Sequence, residues 1–185
     1  VRAISIGHRP RRTAETGSEA GQSLVEFSLI LFPFFLILLA IIQFGFIFNT
    51  YVTMTNAARD AARLGTVYVY DANASKSQND VYRNDAIKTS VMASMSMLGK
   101  VPPYFTTGGT WTQSGAATAP VFTQGDLVIS YALNGQLDSD ARVGQRVTVS
   151  ATYHQDLIVP LISNFLPKDA GGRLTLVGVV TMVMN

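Results

Sequence analysis

The sequence predicts an α+β protein carried on a membrane anchor: a long N-terminal transmembrane helix that continues into an extracytoplasmic head, where one further helix packs on a small antiparallel sheet of three to four strands. Three observations predict it. No charged residue occurs between Phe27 and Ala58, and the first part of that run is almost entirely Phe, Leu and Ile. Helical periodicity returns between Asp80 and Leu98, and beyond residue 120 short alternating runs are separated by turn dipeptides. Composition agrees: of 185 residues only 14% are charged, against roughly 25% in a soluble globular domain. The mean hydropathy is positive, +0.24.

The length suits one modest domain or slightly more, and the apolar content excludes disorder. With no Cys, a disulfide scaffold and a zinc finger are excluded as well. Charge is concentrated at the start. Arg2, Arg9, Arg11 and Arg12 stand against Glu15 and Glu19, while the rest of the chain is formally neutral. The pI near 9.0 therefore comes from a short head, and nothing downstream offers the basic face that nucleic acid requires. Three regions follow: a basic leader over 1–21, a transmembrane and spine helix over 22–65, and an extracytoplasmic α+β domain over 66–185. The chain begins with Val rather than Met, which fits an alternative start or a trimmed terminus.

The apolar stretch from Phe27 to Phe48 spans ~33 Å as a helix, enough for a hydrocarbon core of ~30 Å. Its composition is apolar on every side, unlike a one-faced core helix. Arginines precede it and balanced charges follow it. This predicts a single pass through the cell (inner) membrane with the N-terminus cytoplasmic and the chain beyond Asn49 periplasmic or extracellular. A cleavable secretory signal has a shorter apolar region ending in a small-residue site, which is missing here, and Arg11-Arg12 is simply part of the basic head. Glu26 does not belong in a plain anchor. A carboxylate at mid-membrane costs roughly 2.5–3.5 kcal/mol, somewhat less near the edge, so it calls for a cationic partner. The alternative is an incidental charge at the helix start, favoured by the helix dipole.

Gly21-Gln22-Ser23-Leu24-Val25-Glu26-Phe27 resembles the prepilin-peptidase site of type IV pilins. That resemblance implies cleavage after Gly21, Gln22 as the new N-terminus and Glu26 at the fifth mature position, beside Phe27. The Glu26 carboxylate could then pair with the amine of a neighbouring subunit and set axial register. Further on, Ile42-Gln43-Phe44-Gly45 and Asn56-Ala57-Ala58-Arg59-Asp60-Ala61-Ala62-Arg63-Leu64-Gly65 resemble the signature of the TadE-like family, the pseudopilin-like part of tight-adherence (Flp pilus) systems. The resemblance is strong from Gly21 to Gly65. Beyond it, only the order of a Val147–Tyr153 strand, a Pro-Leu-containing link and a Leu174–Met184 strand is similar to the family. It implies an assembly motif of Glu26, Asn56, Ala57, Ala58, Arg59, Ala62, Arg63 and Gly65. The implied partners are the lipid bilayer, a prepilin peptidase, other pilin or TadE- and TadF-like subunits and the pilus assembly platform. Gln43 is a departure, because family members often carry a charge at that point.

The helix is expected to run from Ser23 to Leu64, with Pro33 a kink and Gly65 a C-cap. Ala57, Ala58, Ala61 and Ala62 form a face that another surface can approach closely. Arg59 and Arg63 share a face that is either solvated or paired with acidic groups of the head. Val67–Tyr70 reads as a short strand and residues 71–79 as a polar loop, whose Asn73-Ala74-Ser75 is a sequon by pattern only. Asp80 is expected to cap a second helix to about Leu98, burying Ile87, Val91, Met95 and Leu98, with Gly99 as stop. Met92, Met95 and Met97 read as core filling. After Pro102-Pro103, Thr106–Thr118 reads as an exposed loop whose Trp111 either packs on its own domain or anchors a partner. Strands are expected at 120–122, 127–133, 145–153 and 174–184, with turns at Asn134-Gly135, Val143-Gly144 and Gly171-Gly172. The link Leu157–Leu166 is apolar enough to need a cover, as a short helix over the core or against another subunit. At ten residues it is too short to span a bilayer.

No chemistry stands out. His8 lies in the leader, and His154 has only Asp156 two residues on, short of the ligands that a triad or metal site needs. No phosphate-cradling loop, GxSxG or HExxH occurs. The expectation is a non-enzymatic minor pilin or pseudopilin without cofactor or metal. The alternatives are a single-pass membrane-anchored binding domain outside the pilus and a tethered hydrolase using His154.

Overall fold

The computed structural model describes residues 16–98, 110–134, 143–159 and 164–184, with side chains of 16–20 and of Met97 left aside. The chain divides into two compact units, 1–41 and 42–185. A single helix, α1 (Thr16–Thr66), contributes to both. It begins before the expected Ser23 and contains Pro33. In the first unit most of its large described side chains, among them Leu24, Phe27, Ile30, Phe32 and Phe34, are exposed. A helix this apolar and this unburied fits a membrane anchor.

The second unit is α+β, as expected, with five strands rather than three or four. They are β1 (Thr112–Ala116), β2 (Ala119–Gln124), β3 (Leu127–Ala132), β4 (Arg146–Gln155) and β5 (Leu174–Val183). They form one antiparallel meander in the order β1-β2-β3-β4-β5. The added strand is β1, drawn from the Gly/Thr/Ser segment expected to be a loop. Its five residues are all exposed, so no hydrophobic alternation marked it. Conversely Val67–Tyr70 is not a strand. Tyr68 and Tyr70 instead lie beside the Arg83 guanidinium, 5.7 Å and 4.7 Å from their ring centroids. The alternation in β4 holds: Val147, Val149, Ala151 and Tyr153 are buried, and Thr148, Ser150 and Thr152 are not.

The second helix, α2 (Lys76–Met95), is capped by Ser75 and not by Asp80. Ser75 Oγ accepts the N–H of Gln78 and Gln78 Oε1 accepts the N–H of Ser75, a reciprocal capping box. Asp80, one turn inside, is fully buried and accepts a 2.8 Å hydrogen bond from the Tyr70 hydroxyl. A short 3₁₀ turn, Ser96–Leu98, follows α2. Ile87, Val91 and Met95 are buried as expected, Leu98 only partly. The Gly99 stop, Pro102-Pro103 and Gly135 fall outside the described residues. So do residues 160–163 of the apolar link, whose described parts are not helical.

Between the helices and the sheet lies one core, with Met54, Ala57, Ala61 and Ala62 from α1, Ile87, Val91 and Met95 from α2, and inward residues of β2 to β5. Contacts fix the direction of α1 in this unit. Thr50 donates to Gln155 Oε1 at the end of β4 (2.6 Å), and one turn on, Met54 lies against Gly178, whose β4 partner is Ala151. Its 42–66 portion thus runs antiparallel to β4. The end of the sheet beside Thr50 carries the β2–β3 turn and the β4–β5 connection; the opposite end carries Val143-Gly144, where Gly144 takes φ +80°.

Candidate functional site

The residues singled out by sequence fall into two groups along α1. The first, Gly21, Gln22, Glu26 and Phe27, lies on exposed helix. The i,i+4 spacing brings Gln22 Nε2 to 3.2 Å from Glu26 Oε1, and Ser28 Oγ donates to the Leu24 carbonyl. Gly21 is open on all sides, with nothing within 4 Å of where a Cβ would stand. Glu26 therefore presents its carboxylate outward from an apolar surface, one oxygen bonded within its own helix. A carboxylate so placed can accept a cation from a neighbouring chain and has no role in holding the head together.

The second group is split between two faces. Ala57, Ala58, Ala61 and Ala62 are fully buried and Gly65 and Thr66 are buried beside them, whereas Asn56, Arg59, Asp60 and Arg63 are exposed. The alanines let α1 lie close to the sheet and to α2. Gly65 belongs to the same packing and is not a C-cap: the helix runs past it to Thr66, and a Cβ there would meet Ile87 Cδ1 at 2.7 Å. Arg59 and Arg63 share the solvent face and form no ion pair with the head among the described residues. So the structure brings the small residues of the motif into the core and leaves its charges on the surface.

Sequence reasoning missed the polar half of the α2 interface. Asn79, Asp80, Arg83, Asn84 and Lys88 are buried on the same helix face as Ile87 and Val91. Asn84 accepts a hydrogen bond from the buried Tyr131 hydroxyl, and Arg83 Nη1 meets Met184 Sδ at 3.2 Å. Their 3–4 spacing was a usable signal, but polar residues at that spacing read equally well as a solvated face. Trp111 packs on its own domain, its Nε1–H donating to Asp85 Oδ1 at 2.8 Å.

His154 faces two carboxylates that lie far from it in the sequence. Its Nδ1 lies 2.7 Å from Asp169 Oδ2 and its Nε2 3.4 Å from Asp126 Oδ1, joining the β2–β3 turn to the β4–β5 connection. Asp169 closes that connection by accepting the N–H groups of Gly171 and Arg173 on its other oxygen. The Arg173 N–H is the main reason the Asp169 carboxyl sits below the ordinary carboxylate range. Partial burial opposes the shift, and His154, the Gly171 N–H and the Arg173 charge reinforce it. A folded-state value below the unfolded one adds stability above the unfolded pKa, and that stability is lost as pH falls through the folded value. Head stability should therefore drop on acidification below about pH 4. Asp169→Asn should flatten that drop in a series of melts between pH 3 and 6; an unchanged slope would remove Asp169 from the account.

Comparison with protein families matches residues 21–63 to a family described as TadE-like protein. Comparisons with curated proteins and with solved structures gave no match. The matched residues cover both groups on α1 up to Arg63, and end before the rest of the head.

Proposed function

We propose, on the premise that residues 21–63 form a TadE-like segment, that the chain is a membrane-held minor pilin or pseudopilin of a tight-adherence (Flp-type) pilus system. In this reading a prepilin peptidase cuts after Gly21, and Gln22 becomes a cationic terminus. Glu26 then takes the amine of the next subunit as α1 packs among other pilin or TadE- and TadF-like subunits at the assembly platform. The role is structural and not enzymatic, serving pilus assembly, adhesion or secretion. The anchor holds the N-terminus in the cytoplasm and presents the head on the periplasmic or extracellular side.

The observation that supports this best is the segregation along α1. The apolar part before Ile42 leaves most of its large side chains exposed, together with one carboxylate, whereas the Ala-rich part is buried in its own head. A plain anchor for a binding domain needs the second property and has no use for the first carboxylate. The His154 cluster supports a closing role for the loop, since both ring nitrogens already face carboxylates that join two turns. The test is genetic complementation in the host. A strain lacking this chain should lose pili and surface adhesion and regain both with the wild-type gene; normal piliation of the deletion strain would contradict the proposal.

A further inference from the structure

The β4–β5 connection is pinned low on α1. Gln43 is only 1% exposed, and its Oε1 accepts the backbone N–H of Ile158 at 2.9 Å and of Val159 at 3.3 Å. Gln43 lies inside the apolar run that ends at Phe48, about 7.5 Å of helical rise before its end. On this part of α1, Ile42, Phe44, Phe46 and Phe48 are all exposed. Ile158 therefore stands level with side chains that an anchor gives to lipid. It is itself 64% exposed, and Phe165, later in the same connection, is 86% exposed. From Leu157 to Pro167 the sequence carries no charge, and Asp156 and Lys168 flank the stretch without interrupting it.

We infer that the β4–β5 connection is a second membrane contact, with Ile158 and Phe165 seated in the interfacial layer of the bilayer beside α1. The inference rests on reading α1 as the membrane anchor. Its occupant follows from continuity: the hydrogen bonds to Gln43 tie this connection to a level of α1 whose own side chains are in lipid. Ile158, held there, leaves water for the acyl boundary, and the exposed Phe165 of the same connection adds a second large apolar side chain that lipid can take up. The N–H groups of Ile158 and Val159 are already bonded to Gln43, so the move strands neither donor in a medium that cannot hydrogen-bond. Lys168 can lay its alkyl stem along the apolar surface and keep its ammonium among the phosphates. Such a second contact orients the subunit in the bilayer while it is stored there, and it must be released when the subunit is extracted.

The chain has no Cys, so a single introduced Cys carries the only spin label. The full-length protein is reconstituted at low density in phosphatidylethanolamine–phosphatidylglycerol vesicles. Labels are placed at Ile158→Cys, Phe165→Cys, Phe35→Cys in the apolar run, and Val143→Cys, an aqueous control 68% exposed at the far end of β4. Collision with oxygen and with a water-soluble nickel chelate reports depth. Labels at 158 and 165 should show nickel accessibility several-fold below that at 143, approaching that at 35. If 158 and 165 match 143 while 35 is in lipid, this inference fails and the anchor stands. Were 35 itself open to nickel, the anchor reading would fail and this inference with it. Protection at 158 and 165 that vanishes when protein is diluted further in lipid would assign the patch to a second protein copy and overturn the membrane contact.

Discussion

Gly178→Val should destabilise the head by about 3 kcal/mol, because it forces a branched side chain between two backbones. A Cβ at Gly178 would already stand 3.2 Å from the Met54 carbonyl oxygen and 3.3 Å from its carbon. These atoms belong to the α1 backbone and cannot swing aside as a side-chain tip would. Valine adds two more methyl groups in the same gap, so helix and sheet must separate. With them the Ala57, Ala61 and Ala62 packing loosens, since these residues have no length to fill a widened space. Out of a total stability of roughly 5–15 kcal/mol the loss is large. Thermal melts in detergent, followed by near-UV circular dichroism, should show a clear drop in Tm, whereas Val179→Ala on the exposed face changes little. Equal melting of the wild type and Gly178→Val would mean that α1 does not pack on β5 at this point.

The second large effect concerns assembly and leaves the head untouched. Glu26→Ala should permit cleavage but reduce incorporation of the subunit roughly tenfold or more, the worth of one hydrogen bond between charged groups, about 1.5–3 kcal/mol. Glu26 is exposed in the first unit, bonded to Gln22 Nε2, so its removal costs the core nothing. Glu26→Gln separates the two contributions: it keeps a partner for Gln22 but lacks the charge that would attract a neighbouring amine. Both variants should melt like wild type, and both should show that loss of pilus incorporation by quantitative immunoblotting of sheared fibres. Incorporation of Glu26→Gln at the wild-type level would remove the ionic register role.

Much of this was legible in the sequence where side-chain type and period coincide. Phe27–Phe48 announces an anchor by length and composition, the β4 alternation announces a half-buried strand, and Ile87, Val91 and Met95 announce a core-facing helix. Where sequence and structure part, either tertiary packing or a competing local motif decides. Gly65 carries the composition of a helix stop, yet it is there to admit Ile87. Asp80 has the chemistry of a cap, but its place inside α2 buries it against Tyr70, and Ser75 with Gln78 makes the cap. β1 has no apolar alternation because both of its faces are exposed, so its existence depends on pairing with β2 alone. On the site, the spacing of Gly21, Gln22 and Glu26 could be read directly, whereas the division of the Asn56–Gly65 motif into a buried Ala face and a solvent Arg face needed the sheet and α2. Nor could the bond from Gln43 to Ile158 be foreseen, because the two residues are 115 positions apart.

The account turns on whether this chain is processed as a pilin-class subunit. The direct measurement is the intact mass and N-terminal sequence of the membrane-extracted protein, from cells with and without the host's prepilin peptidase. The account predicts a new terminus at Gln22 that depends on the peptidase and is blocked by Gly21→Ala. An identical, uncut chain from both strains would contradict it and leave α1 as an anchor whose purpose lies in the head.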